Sequence, residues 1–354
     1  MSARRWIPRE GLYIDPIVTG LRRTILHPLC TLILLCIVQG KKFGTGTASP
    51  YQKLVQFIAA ASTILWLNDY LSAKSRNNWT VDTTWNWKRE LVVVTGGSGG
   101  IGAGVAQRLA AMGARVVVFD IIPLTYKPGD HIRYYKCDLS DEKEIAALCE
   151  TVRSEIGHPT VLVNNAGLSR GRTVIEGTYS DNSITLKTNL LAPFFLTKEF
   201  LPAMIRQNHG HIFNVASMSA YIPPPGLGDY AASKAGLIAF HECLAQELRL
   251  QNAPKVRTSL AVLSFTKTPL FKGETNQPRF LMPLLHVETV VDAIVDTLDS
   301  GFSRTIFLPG IFGYFAGLRG APDWVQNLVR SGTKSLKVDF KGRQEIDPKT
   351  GRLV

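Results

Sequence analysis

Cysteine is scarce in this 354-residue chain: five residues, at positions 30, 36, 137, 149 and 243, an odd number without C-x-x-C spacing. Neither a disulfide framework nor a thiolate zinc site is expected, and a reducing compartment suits the bulk of the chain. His209 and His211 stand two apart at the start of an apolar run, with no third ligand close in sequence, so no metal site is expected. Internal repeats and low-complexity tracts are absent. So is any basic stripe interleaved with aromatics. The net charge of +12 is therefore assigned to a membrane surface, and no nucleic-acid partner is expected.

What is present begins with glycine. The run Leu91 to Val94 reads as a buried parallel strand, and the residues after Gly102 have helical apolar spacing. Between them lies T-G-G-S-G-G-I-G, so Thr95, Gly96, Ser98, Gly100, Ile101 and Gly102 fall on a strand-to-helix turn. There a backbone without side chains can approach a pyrophosphate, whose charge is met by helix N-terminal amides. A second apolar strand ends in Asp120, eighteen residues after Gly102. A carboxylate at that place accepts hydrogen bonds from ribose hydroxyls and repels a 2′-phosphate, which favours NAD(H), with NADP(H) as the alternative. A capping or solvated aspartate is the plainer reading.

Tyr230 and Lys234 stand four apart in Y-A-A-S-K, on one helix face, and Ser217 lies thirteen residues before the tyrosine. A free tyrosine titrates near ~10, and a neighbouring cation is expected to lower that by roughly 1 to 3 units. Ser217 would hold a substrate oxygen. Singly, such residues cap, pack or face solvent; together, downstream of a nucleotide loop, they point to proton chemistry. Ser219 lies two residues off the spacing, and Tyr221 has no lysine four residues on.

At these residues the chain resembles the short-chain dehydrogenase/reductase family, over about Glu90 to Pro309. Asp138 in C-D-L resembles the family aspartate that touches the adenine, with Leu139 beside it a further cofactor contact; Asn164 to Gly167 resemble its N-N-A-G, and Asn189 its proton-relay asparagine. The resemblance implies a Ser217, Tyr230, Lys234, Asn189 tetrad, and cofactor contacts from Asn165, Ala166, Gly167, Tyr230 and Lys234. After the sixth strand the family's Pro-Gly is replaced by Ser264-Phe265, leaving Thr266 or Thr268 to reach the nicotinamide amide. The sequence before the core is similar to the membrane-bound branch that contains retinol and 17β-hydroxysteroid dehydrogenases. That likeness implies a homodimer at the endoplasmic reticulum or lipid droplet.

Further strand patterns near residues 131, 161, 211, 256 and 304 bring the total to seven. Helical patterns near Glu142–Glu155, Ser183–Gln207, Asp229–Leu250 and Val287–Leu298 separate them. The expected fold is α/β, a doubly wound (Rossmann-type) seven-stranded parallel sheet with an N-terminal membrane-associated helical extension. The expected division is 1–76 anchor, 77–89 linker, 90–310 nucleotide-binding domain and 311–354 C-terminal extension. Apolar stretches 24–40 and 54–71 sit at the short end for a ~30 Å hydrocarbon core at ~1.5 Å per residue, which leaves a tilt-free span or a dip into one leaflet open for each. A hairpin that returns the chain to its starting side fits a cytosol-facing catalytic domain, whereas two helices of a soluble core are the alternative. The charges at 22, 23, 41, 42, 53, 74 and 76 leave orientation open. Eight apolar residues between Phe265 and Leu285 suggest a lid over a lipophilic alcohol or ketone, opposite a wall at Pro223 to Gly226. The alternatives for that loop are core or dimer packing, and for the whole protein a scaffold that binds nucleotide without turnover.

Overall fold

In a computed structural model, which describes residues 8–40, 49–268 and 277–333, the centre of the chain forms the expected sheet. Its strands are β1 (Leu91–Thr95), β2 (Arg115–Asp120), β3 (Ile132–Lys136), β4 (Val161–Asn164), β5 (Gly210–Ser217), β6 (Val256–Leu263) and β7 (Thr305–Leu308). They lie in the order β3-β2-β1-β4-β5-β6-β7, all pairings parallel. The described helices are α1 (Ile14–Arg23), α2 (Pro28–Gly40), α3 (Pro50–Arg76), α4 (Gly100–Ala111), α5 (Glu142–Glu155), α6 (Tyr179–Leu186), α7 (Ala192–Gln207), α8 (Gly228–Leu250), α9 (Val287–Asp299) and α10 (Asp323–Ser331).

Both faces of the sheet are covered, which is why the strands read as unbroken apolar runs. Val92 and Val94 of β1 pack with Val116 and Val118 of β2 under α4 and α9; Leu91 and Val93 pack with Val117 and Phe119 under α5, α7 and α8. Strand order reverses between β1 and β4. The crevice at their carboxyl ends is where such sheets bind ligands.

One expected element is divided. The helical pattern from Ser183 to Gln207 forms α6, a π turn at Lys187–Leu191, and α7. Pro193 has no N–H to close an α turn onto Asn189, and its ring would crowd that carbonyl in a continuous helix.

At the N-terminus α2 and α3 pack antiparallel, joined by Thr31 Oγ1 to Ser62 Oγ at 2.7 Å and by Gln52 Nε2 donating to the Val38 carbonyl. Their outer faces leave Leu29, Ile33, Phe57 and Ile64 exposed. The second apolar stretch lies within the longer α3, whose 27 residues extend ~40 Å at ~1.5 Å each. Among the described residues α3 is the one helix long and apolar enough to cross a bilayer; α1 and α2, bent by 54°, pass the same test as a pair. Lys41 and Lys42 lie outside the described residues.

Residues 77–89, expected as a linker, are bonded to the sheet. Arg257, fully buried, donates to the carbonyls of Asn77 and Thr80, and Trp87 Nε1 donates to Asp299. His209 sits between Asp82 and Glu90, whereas His211 Nε2 pairs with Ser259, so the two histidines serve different partners.

Candidate active site

A cavity of about 510 Å³ opens at the carboxyl ends of β1, β4, β5 and β6. Ile101, from the glycine turn, lines one side. Gly96 has φ +65°, and a Cβ on Gly102 would lie 2.2 Å from the Gly96 carbonyl oxygen, so the tight entry into α4 requires glycine there. The amides of Gly100, Ile101 and Gly102 thereby face outward at the α4 N-terminus, the arrangement that receives a phosphate.

Several expected cofactor residues also brace the turn. Thr95 Oγ1 accepts from the amides of Asn165 and Ala166, and Asn165 Nδ2 donates to the carbonyls of Thr95 and Gly96, which ties β1 to β4. Ser98 is fully buried and its hydroxyl donates to the Ile122 carbonyl. The run Gly96-Gly97-Ser98-Gly99-Gly100 has the form of a hydrolase nucleophile elbow, but that hydroxyl is turned away from any substrate. Asp120 accepts from Ser98 N at 2.9 Å and Ile122 N at 3.3 Å, so it caps the turn while leaving carboxylate lone pairs toward the surface.

Asp138 supplies a test of nucleotide fit. Its Oδ1 accepts from the amide and hydroxyl of Ser140, whereas Oδ2 is buried without a protein partner. A buried acceptor of this kind costs free energy unless something donates to it, and an adenine amino group would do so. Leu139 beside it is buried and apolar. The turn, Asp120 and Asp138 thus fit an adenine dinucleotide.

Ser217 ends β5, and Tyr230 and Lys234 lie in the first two turns of α8; all three line the cavity with Asn165, Gly167, Thr266 and Thr268. Lys234 Nζ donates to the Val215 carbonyl at 2.8 Å and lies 5.8 Å from the Tyr230 ring centre. Burial pushes this ammonium down to about 8. Burial also raises the Tyr230 phenol, against a hydrogen bond with Ser217 that lowers it. The expected fall in the tyrosine pKa is therefore absent in the protein by itself, because desolvation outweighs the Ser217 hydrogen bond. Asn189 is buried in the π turn, where its side chain bonds both backbone groups of Leu168 and the Ser233 hydroxyl. It fixes the loop after β4 instead of reaching the cavity.

The loop expected as a lid divides its residues. Phe265 and Met282 line the cavity, Leu285 is buried by bridging to Thr266, and Phe280 and Leu281 are exposed; Leu270 and Phe271 lie outside the described residues. Pro224 contributes to the opposite wall. A further wall was not read from the sequence. Phe312, Phe315, Val329 and Thr333 close the cavity from the segment after β7. Its signal was the aromatic run Ile311 to Phe315, and helix spacing alone could not say where the run would fold.

The model of the short chain dehydrogenase family matches residues 90–279. The chain belongs to that family. This short-chain dehydrogenase is 41% identical over 198 residues, 55% of its own length and 74% of the relative's, to dehydrogenase RED2 of Cochliobolus heterostrophus. It is 31% identical over 218 residues, 59% of the chain and 71% of the relative, to epidermal retinol dehydrogenase 2 of Mus musculus. It is also 31% identical over 318 residues, 86% and 99%, to short-chain dehydrogenase/reductase 3 of Homo sapiens. Such enzymes are NAD(P)-dependent oxidoreductases, and so is this one.

Proposed function

We propose that this short-chain dehydrogenase is membrane-associated and interconverts a lipophilic alcohol and its carbonyl compound with NAD(H), using Ser217, Tyr230, Lys234 and Asn189. The observation that carries the reading is the meeting of Ser217, Tyr230 and Lys234 on the floor of a cavity whose other walls are Leu263, Met282, Phe312 and Phe315. When bound, the cofactor gives or accepts the hydride. Ser217 hydrogen-bonds the reacting oxygen, and Tyr230 moves its proton. Burial keeps the phenol protonated in the protein alone, a state suited to protonating a carbonyl oxygen; oxidation requires that proton to leave first. Lys234, between the Val215 carbonyl and Tyr230, favours the phenolate when charged and can reach the nicotinamide ribose. Asn189 holds the loop after β4 and so positions the proton path.

The preference for NAD(H) rests on the Asp120 carboxylate beside the glycine turn. A lipophilic substrate is supported by the apolar walls and by the retinol dehydrogenase named among the relatives. Membrane association rests on the exposed apolar faces of α2 and α3. We read residues 1–76 as anchor, 90–310 as catalytic domain facing the cytosol from the endoplasmic reticulum or lipid droplet, and the working unit as a homodimer. Detergent-solubilised protein assayed against retinoids, steroids and long-chain alcohols should turn over members of at least one class. Tyr230→Phe should lower kcat by ~100-fold or more with NAD(H) binding retained. Near-full activity in that variant would sink the proposal.

A further inference from the structure

The walls of the cavity end in exposed apolar side chains. Met282 is preceded by Leu281, Phe315 by Tyr314 and Val329 by Leu328; in each pair the second residue named is exposed while the first lines the cavity. Tyr314 is 74%, Trp324 71% and Leu328 68% exposed, and the last two lie four apart on one face of α10. On α1, Ile17 and Leu21 likewise share an exposed face, and Leu12 just before it is 76% exposed. Both helices rest on residues 310–320, the segment that carries Phe312 and Phe315. α1 is held there by Ile14 N donating to the Phe280 carbonyl and by the amides of Gly310 and Ile311 donating to Asp15.

α1 also touches the hairpin. Arg22 pairs with Asp69 at 3.0 Å, between Trp66 and Tyr70, whose rings stack at 5.7 Å near the domain-proximal end of α3. Aromatic side chains there suit the membrane–water boundary. One end of α1 thus lies beside these aromatics and the other against the 310–320 segment at the cavity rim. Exposed Arg23 at the end of α1 and Arg279 beside Phe280 complement lipid phosphates, as does Arg319 of the 310–320 segment, one nitrogen of which already donates to the Ala220 carbonyl.

We propose that α1, α10 and the 310–320 segment form a collar seated on the headgroup layer of a phospholipid bilayer, so that the cavity mouth opens against lipid. The proposal rests on the membrane-associated reading above and adds a second contact beyond the α2–α3 hairpin. A collar seated there shields the mouth from water and lets a lipid-dissolved alcohol enter without crossing solvent.

The test uses the full chain in phosphatidylcholine vesicles containing phosphatidylserine. An environment-sensitive fluorophore is placed at Leu328→Cys, with Cys30, Cys36 and Cys243 changed to Ser; Glu150→Cys on α5 is the control. Lipids carrying a nitroxide near the headgroup should quench the probe at 328 strongly and the probe at 150 hardly at all. Equal quenching at the two sites overturns the collar. So does protection at 328 that persists in detergent and grows with protein concentration, the sign of a second copy. W324D with L328D should raise KM for a bilayer-borne long-chain alcohol by roughly 10-fold, with kcat, NAD(H) affinity and turnover of a short soluble alcohol unchanged. An unchanged KM likewise counts against it. Quenching at 328 without turnover of any lipophilic alcohol would leave the collar standing and remove the substrate reading. Turnover without quenching would do the reverse.

Discussion

Lys234 shows how burial and charge compete at one atom. Its folded pKa of about 8 lies below the ordinary 10.5, so between those values the unfolded chain binds a proton that the folded chain does not. Stability from this group therefore rises with pH across that window, and the full penalty is present below it. Lys234→Met should be more stable than the parent at pH 7 by on the order of 2 kcal/mol, after the lost bond to Val215 is discounted, and inactive. Urea midpoints should converge as pH climbs from 8 to 10.5; a constant difference would mean the ammonium is not desolvated. Asp120 invites a second comparison. Removing its carboxylate with Asp120→Ala should narrow the gap between NAD(H) and NADP(H) affinity, measured by cofactor fluorescence. Equal affinities in the unmodified protein would remove the assigned preference.

Among the elements, two contacts outside the cavity carry consequences. The chain between α3 and β1 is pinned where His209 bonds Asp82 at 2.6 Å and Glu90 at 3.1 Å. The hydrogen bond to Glu90 raises the imidazole pKa against burial, with Asp82 adding to the rise. Burial works against both carboxylates, yet their hydrogen bonds, with Thr84 and His209 for Asp82 and with His209 and Thr160 for Glu90, hold them low. The clamp is complete below the ordinary His value of 6.5 and above the ordinary carboxylate values of 3.8 and 4.5. It weakens as pH rises through the raised histidine pKa, or falls through the lowered carboxylate ones. Hydrogen-exchange protection factors over residues 77–90 should decline from pH 6 to 8.5 in the parent and stay flat in His209→Gln. The second contact is Asp15, which takes the first two amides of the segment carrying Phe312. Asp15→Ala should raise KM for a long-chain alcohol by roughly 3- to 10-fold, about one hydrogen bond's worth, with kcat and NAD(H) affinity retained.

For the whole molecule, a cut after Arg76 removes the hairpin and α1 together. The truncated chain should appear at least partly in the soluble fraction and keep its NAD(H) affinity, because the expected cofactor residues lie beyond residue 90. Its kcat/KM for lipophilic alcohols should fall, since one support of the cavity wall is gone. Carbonate washing that strips the full-length chain from membranes would refute the anchor. The parallel sheet, the glycine turn and the Ser217, Tyr230, Lys234 spacing were legible in the chain itself, because period, strand composition and loop length are local and fix which backbone enters α4 and α8. The division of the helix at Asn189 was legible only in part, through Pro193. Three matters needed tertiary structure. Thr95, Ser98 and Asn189 spend their hydrogen bonds on neighbouring loops, burial sets the direction of the Tyr230 and Lys234 shifts, and the N- and C-terminal segments meet at the cavity mouth. Each depends on which atoms remote in sequence exclude water from one another, and no local periodicity records that.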